Sequence, residues 1–145
     1  MDNSILLIEG NKDIREVVCN RLTAKGYIVM GVETISEAQS FMENTTPGLI
    51  LLDIQLPDGN GLGFCKQLRS NDSNIPIMFL NSRTKDKTRK IISEAVNRYE
   101  CFAAGCNGYL SKPFDLKDLY WEIANLLTKN TQQNSNRTSG QVGPK

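Results

Sequence analysis

The chain has no histidine among its 145 residues. That absence removes the general base of Ser-His-Asp and Cys-His machinery and the usual partner of cysteine in mixed zinc sites. Cysteines are few, and Cys19, Cys65, Cys101 and Cys106 show no CxxC spacing. Four thiols allow two disulfides, but MDNSILLIEG carries no secretion signal, and we read them as reduced core thiols. Net charge is almost absent. Seventeen basic residues against 16 acidic ones leave +1, too little to draw nucleic acid or an anionic membrane. No apolar run approaches the length of a membrane span, and the N-terminus lacks a basic segment followed by a long apolar one. These absences predict a cytoplasmic protein with no direct nucleic-acid or membrane contact. What remains is an ordinary globular balance, 39% hydrophobic and 23% charged, at a length that suits one domain.

The pattern is organised around GLILLDIQLPDGNG, residues 48–61. Leu49, Ile50, Leu51 and Leu52 suit a strand buried on both faces, and the run stops on Asp53. Dense turn chemistry, Pro57-Asp58-Gly59-Asn60-Gly61, follows. Asp53 therefore lies where a buried strand meets a loop, the rim at which open α/β sheets bind ligands. An acid there either caps the strand or does chemistry. The first apolar run, Ile5 to Ile8, repeats the arrangement by ending on Glu9.

Between and beyond these runs, helical and extended patterns alternate. Asn11 caps a helix whose stripe is Ile14, Val17, Val18 and Leu22, and Lys25-Gly26 stops it. Tyr27 to Met30 is a second strand, and Thr34 or Ser36 opens a helix carrying Ala38, Phe41 and Met42. Leu62, Phe64, Cys65 and Leu68 mark the next helix, and Pro76 introduces a strand, Ile77 to Leu80, followed by Asn81 and Ser82. A helical period with Ile91, Ile92, Ala95, Val96, Tyr99, Phe102 and Ala103 runs to Gly105. A short strand at Tyr109-Leu110 leads to Ser111-Lys112-Pro113-Phe114, and Asp115 caps a last helix with Leu116, Leu119, Trp121, Ile123, Ala124, Leu126 and Leu127. Residues 130–145, almost without large apolar groups, predict a disordered polar tail or linker stub after a domain over 1–129. The alternation predicts an α/β fold: a doubly wound, five-stranded parallel sheet with helices on both faces.

Polar groups converge on one rim: Glu9, Asp53, Asn81 with Ser82, and Lys112. Together ILLIEGNKDIRE, LILLDIQLPDGNG, PIMFLNS and YLSKPF resemble the receiver domain of two-component response regulators, over about residues 4 to 128. The resemblance implies the flavodoxin-like receiver fold and a signalling role, with no enzyme activity beyond self-phosphorylation and dephosphorylation. It implies that Asp53 accepts a phosphoryl group from a sensor histidine kinase or a histidine phosphotransfer protein. It matches Lys112 to the residue that pairs with the phosphoryl oxygens, and Glu9, the side chain of Asp53 and the backbone carbonyl of Gln55 to ligands of Mg2+. A carboxylate is a competent nucleophile for this transfer when charge on the phosphoryl oxygens is neutralised. It implies too that a downstream protein docks on the face of the fourth helix, fifth strand and fifth helix.

Two positions depart from the family pattern. Gly10 stands where a second acid is normal, so weak magnesium binding is expected. Asn81 stands where a Thr or Ser hydroxyl normally meets the phosphoryl group; its amide can donate instead. Tyr109 matches the aromatic residue that moves inward when that hydroxyl is recruited, and a plain core tyrosine is the other reading. The segment from Asn81 to Lys112 is longer than the resemblance implies, by about two helical turns of about 3.6 residues, which predicts an extended fourth helix. Two functions stand: a phosphoacceptor, or a phosphorylation-independent binding module of the same fold. A haloacid-dehalogenase-like phosphatase would place a second Asp where Gln55 stands, and is set aside. With no output domain after the last helix, the sequence is read as a stand-alone receiver or a fragment cut at a linker.

Overall fold

The apolar runs do become the centre of a sheet. The structure, a computed structural model, describes residues 2–81 and 97–139, with side chains as far as residue 128. Strands β1 (Ser4–Ile8), β2 (Ile28–Val32), β3 (Leu49–Asp53), β4 (Ile77–Asn81) and β5 (Gly108–Ser111) form one sheet in the order β2-β1-β3-β4-β5. All four pairings are parallel. Helices α1 (Lys12–Ala24), α2 (Ile35–Met42), α3 (Gly61–Ser70), α4 (residues 97–104) and α5 (Leu116–Ser139) complete the alternation. Strand order reverses between β1 and β3, which opens a crevice beyond their carboxyl ends. Glu9 and Asp53 stand at its two lips.

All five residues of β3 are buried because alternate side chains feed two cores. Ile50 and Leu52 join Leu6, Ile8 and Phe79 beneath Phe64, Cys65 and Cys101. Leu49 and Leu51 join Ile5, Leu7 and Met78 beneath Val18, Leu22, Leu119 and Ile123. A continuous apolar run is what such two-sided burial requires.

Several expected core residues lie outside. Val17 is 52% exposed, Tyr99 75%, Phe102 44% and Trp121 65%. The buried stripes follow steps of three and four, Val18–Leu22 and Leu119–Ile123–Leu126, and these aromatic and branched side chains sit off them. Strand β2 runs to Val32, past the expected end at Met30. Gly31 does not break it; a Cβ there would stand 2.8 Å from Cys19 Sγ, so the glycine admits α1 against the edge strand. The four cysteines are free thiols. The backbone of α5 stays helical to Ser139, into the stretch expected to be a disordered tail, because neither Gly nor Pro occurs between Pro113 and Gly140. The predicted lengthening of the fourth helix falls around residues 91–105, of which 91–96, like Ser82, lie outside the described residues.

The loop after β3 is anchored by Gly61. Its N–H donates to the Ile54 carbonyl at 2.7 Å, and a Cβ on it would collide with the backbone carbonyl of Asp53. Gly61→Ala is therefore expected to lower stability by about 1–3 kcal/mol. A urea midpoint equal to wild type would contradict this close approach.

Candidate functional site

Each acid reaches the rim by the same local logic, a buried strand ending one residue before or at a polar side chain. Glu9 follows β1 and is 1% exposed. Asp53 closes β3 and is 4% exposed. Lys112 follows β5, across a span of 103 residues from Glu9, yet its ammonium lies 2.5 Å from Glu9 Oε1. The same nitrogen is 3.4 Å from Asp53 Oδ2. The three expected charged residues are thus one cluster.

Its parts are held from outside. Glu9 Oε2 accepts the Asn11 N–H at 3.0 Å, and the Glu9 carbonyl accepts Arg15 Nη1 at 2.6 Å. The sequence reading did not pick out Arg15, which is half-buried on α1, off the apolar stripe of that helix. Asp53 Oδ1 is buried and has no hydrogen-bond partner among the described residues. Burial is the main reason the Asp53 carboxyl is pushed up, from 3.8 to about 6. The Lys112 ammonium pulls it down and the neighbouring Glu9 carboxyl pushes it up again.

Asn81 is also at the rim, one residue beyond Leu80, which pairs in register with Asp53. It is 6% exposed, and its Nδ2 donates to the Tyr109 hydroxyl at 2.6 Å. Tyr109 points inward and is buried, with the Arg98 guanidinium 5.4 Å from its ring centroid. The amide expected to meet an incoming phosphoryl group is therefore already engaged with this ring.

Gln55 lies two residues past Asp53 in a short antiparallel ribbon, Gln55–Leu56 with Gly59–Asn60, which sequence reading treated as plain turn. Its side chain is exposed. Gly10 faces this loop: a Cβ on it would stand 3.2 Å from Pro57 Cδ. The second acid is thus replaced by a residue small enough to let the proline ring close over the rim.

The donor set suits a hard divalent cation. Glu9 and Asp53 offer carboxylate oxygens side by side, Asp53 Oδ1 lacks a protein donor among the described residues, and charge here sums to −1 over two acids and one ammonium. No group of three His, Cys, Asp or Glu side chains that could hold a metal occurs among the described residues. Protein carbonyl and water would therefore complete the shell.

Beside Lys112 an apolar groove of about 520 Å³ opens between α1 and the start of α5, lined by Ile14, Val17, Pro113, Phe114 and Leu116. Among the described residues no helix is long and apolar enough to cross a membrane.

The sequence profile described as the response regulator receiver domain matches residues 5–124. Response regulator MprA of Mycobacterium sp. (strain KMS) is 32% identical over 140 residues, covering 97% of this chain and 54% of that protein. Transcriptional regulatory protein PhoP of Escherichia coli (strain K12) is 26% identical over 127 residues, covering 88% of this chain and 53% of that protein. The chain spans about half the length of these relatives. The crystal structure of a two-component response regulator from Clostridium difficile superposes with a TM-score of 0.74 at 27% identity, covering 87% of this chain and 96% of that one.

Proposed function

Because the chain belongs to the response regulator receiver family, we propose that its rim is a working phosphoacceptor site with Asp53 as the nucleophile. The observation that carries this reading is the Lys112 ammonium within reach of both carboxylates at a strand tip, 2.5 Å from Glu9 and 3.4 Å from Asp53. An Asp53 oxygen attacks the phosphorus of the donor. The bond from phosphorus to the donor's imidazole nitrogen breaks, and an acyl phosphate forms. Lys112 is held where the negative phosphoryl oxygens arrive, and it can exchange Glu9 for them without leaving the pocket. Glu9, Asp53 and the Gln55 carbonyl would hold Mg2+, which when bound supplies charge neutralisation to the phosphoryl oxygens. The Asp53 carboxyl, pushed up to about 6, is largely ionised above neutrality and so ready to act.

The donor in this reading is a sensor histidine kinase or a histidine phosphotransfer protein, in a cytoplasmic two-component pathway. The apolar groove that abuts Lys112 supports a helical protein donor over a small molecule alone. A downstream protein reads the face of α4, β5 and α5, where Tyr99, Phe102 and Trp121 leave large rings in water. The second reading, a binding module that works without phosphorylation, is favoured by Gly10 and by the engagement of Asn81 with Tyr109.

Intact-mass spectrometry after incubation with acetyl phosphate separates the two. A gain of one phosphoryl group that needs magnesium and is absent in Asp53→Asn is the expected result. No gain in the wild type at saturating magnesium would leave the binding-module reading standing.

A further inference from the structure

The geometry points to Asp58 as a positioning residue that clamps the loop bearing Gln55 to the start of α2. The inference rests on the phosphoacceptor reading of Glu9, Asp53 and Gln55. Asp58 lies at the turn of the short ribbon, between its two strands. Its Oδ1 accepts the Ile35 N–H at 2.9 Å and its Oδ2 accepts the Ser36 N–H at 3.0 Å. These are the first two N–H groups of α2, reached from more than twenty residues away in the chain. The helix has a cap of its own: Thr34 Oγ1 accepts the Glu37 N–H at 3.1 Å, and the Glu37 carboxylate returns to the N–H groups of Glu33 and Thr34. Asp58 therefore adds a two-point fork to a helix end already closed by a capping box, and what it fixes is the loop.

Among the described residues the base of that loop is held where the Gly61 N–H meets the Ile54 carbonyl and where Leu56 packs against the core. A ribbon of two residues on each side is not stable by itself in water. With the tip forked onto α2, the direction of the Gln55 carbonyl between the two anchors is set before any cation arrives. Pro57 is seated by the same fork against Gly10. Because Gly10 leaves two carboxylates where the family pattern has three, the loop carbonyl carries a larger share of the affinity, and its preorganisation matters more here.

The test compares the wild-type chain, Asp58→Ala, Asp58→Asn, Thr34→Ala and Asp53→Asn by 1H–15N NMR titration with MgCl2, reading the amides of Gly10, Gln55 and Gly61. Asp58→Ala is expected to weaken magnesium about 10-fold, and Asp58→Asn, which keeps one acceptor oxygen, to recover part of that loss. Thr34→Ala removes a cap from the same helix without touching the loop, and is expected to leave magnesium affinity unchanged. Its phosphorylation rate should match wild type at every magnesium level, whereas the rate in Asp58→Ala should recover as magnesium saturates. An Asp58→Ala that binds like wild type, or a Thr34→Ala that weakens binding equally, would overturn the clamp alone. A wild type that shows no magnesium-dependent shift, or shifts retained in Asp53→Asn, would overturn the metal-site reading and the clamp with it.

Discussion

Asp53→Asn is expected to raise the thermal midpoint of the protein by roughly 4–10 °C at pH 7.5 in magnesium-free buffer. The cause is the charge balance of the rim. Glu9 and Asp53 are both buried and share one ammonium. The Asp53 carboxyl is pushed from 3.8 up to about 6 in the folded protein, mainly by burial. A folded-state pKa above the unfolded one means that the folded state holds the proton more tightly, so stability falls as pH rises from about 3.8 through about 6. Above that window the ionised carboxylate costs the fold roughly 1–3 kcal/mol. An amide carries no charge and its NH2 group can donate to Glu9, so the substitution removes the cost and leaves a neutral Glu9–Lys112 pair. The advantage of the variant should shrink as pH falls through about 6 and be lost below about 3.8, where Asp53 is protonated in both states. Magnesium should raise the midpoint of the wild type and not of the variant. The measurement is far-UV circular dichroism, because the single tryptophan, Trp121, is already 65% exposed and reports poorly on unfolding. A variant less stable than wild type at pH 7.5 would refute this account of the rim.

Lys112→Met should have the opposite sign and a larger size, a loss of about 3–5 kcal/mol at pH 8. Lys112 is 8% exposed, and its ammonium is the cation shared by two acids that are themselves 1% and 4% exposed. Removing it leaves two negative charges in a crevice that water barely enters. One of them must take up a proton, which becomes easier as pH falls, so the loss should lessen steadily from pH 8 to pH 5. Adding Asp53→Asn to Lys112→Met should restore a large part of the stability, since only one acid then remains. Urea unfolding of the four proteins at both pH values gives the coupling directly. A loss that is equal at pH 8 and pH 5 would mean that Lys112 matters for packing of its stem and not for charge.

The parts of this arrangement that local pattern carries were legible before any coordinates. The buried run ending on Asp53, its echo ending on Glu9 and the turn letters after each one fix strands, rim and acids, because each depends on neighbours within a few residues. Lys112 was legible only through its SKPF context; nothing local says that an ammonium after a short strand will sit 2.5 Å from Glu9. Trp121, Tyr99 and Phe102 were placed in the core because apolar letters at roughly helical spacing do not reveal which side of a helix the sheet covers. The fork from Asp58 to α2 and the bond from Asn81 to Tyr109 were invisible for a similar reason. Both join residues more than twenty positions apart through side-chain oxygens or amides that any surface Asp or Asn possesses. The helical backbone beyond residue 129 escaped the reading because a polar composition argues against burial, and a helix can continue past its buried face when no residue forbids it.

The sequence distance across the cluster also sets an order of events during synthesis. Asp53 leaves the ribosome 59 residues before Lys112, and at ~5–20 residues per second that gap lasts roughly 3–12 s. Throughout it the nascent chain carries Asp53 without its cation, and β5, the edge strand that delivers Lys112, has yet to be made. On the phosphoacceptor reading proposed above, a half-synthesised copy lacks the cation its acceptor needs, and competence arrives only with the strand that completes the sheet.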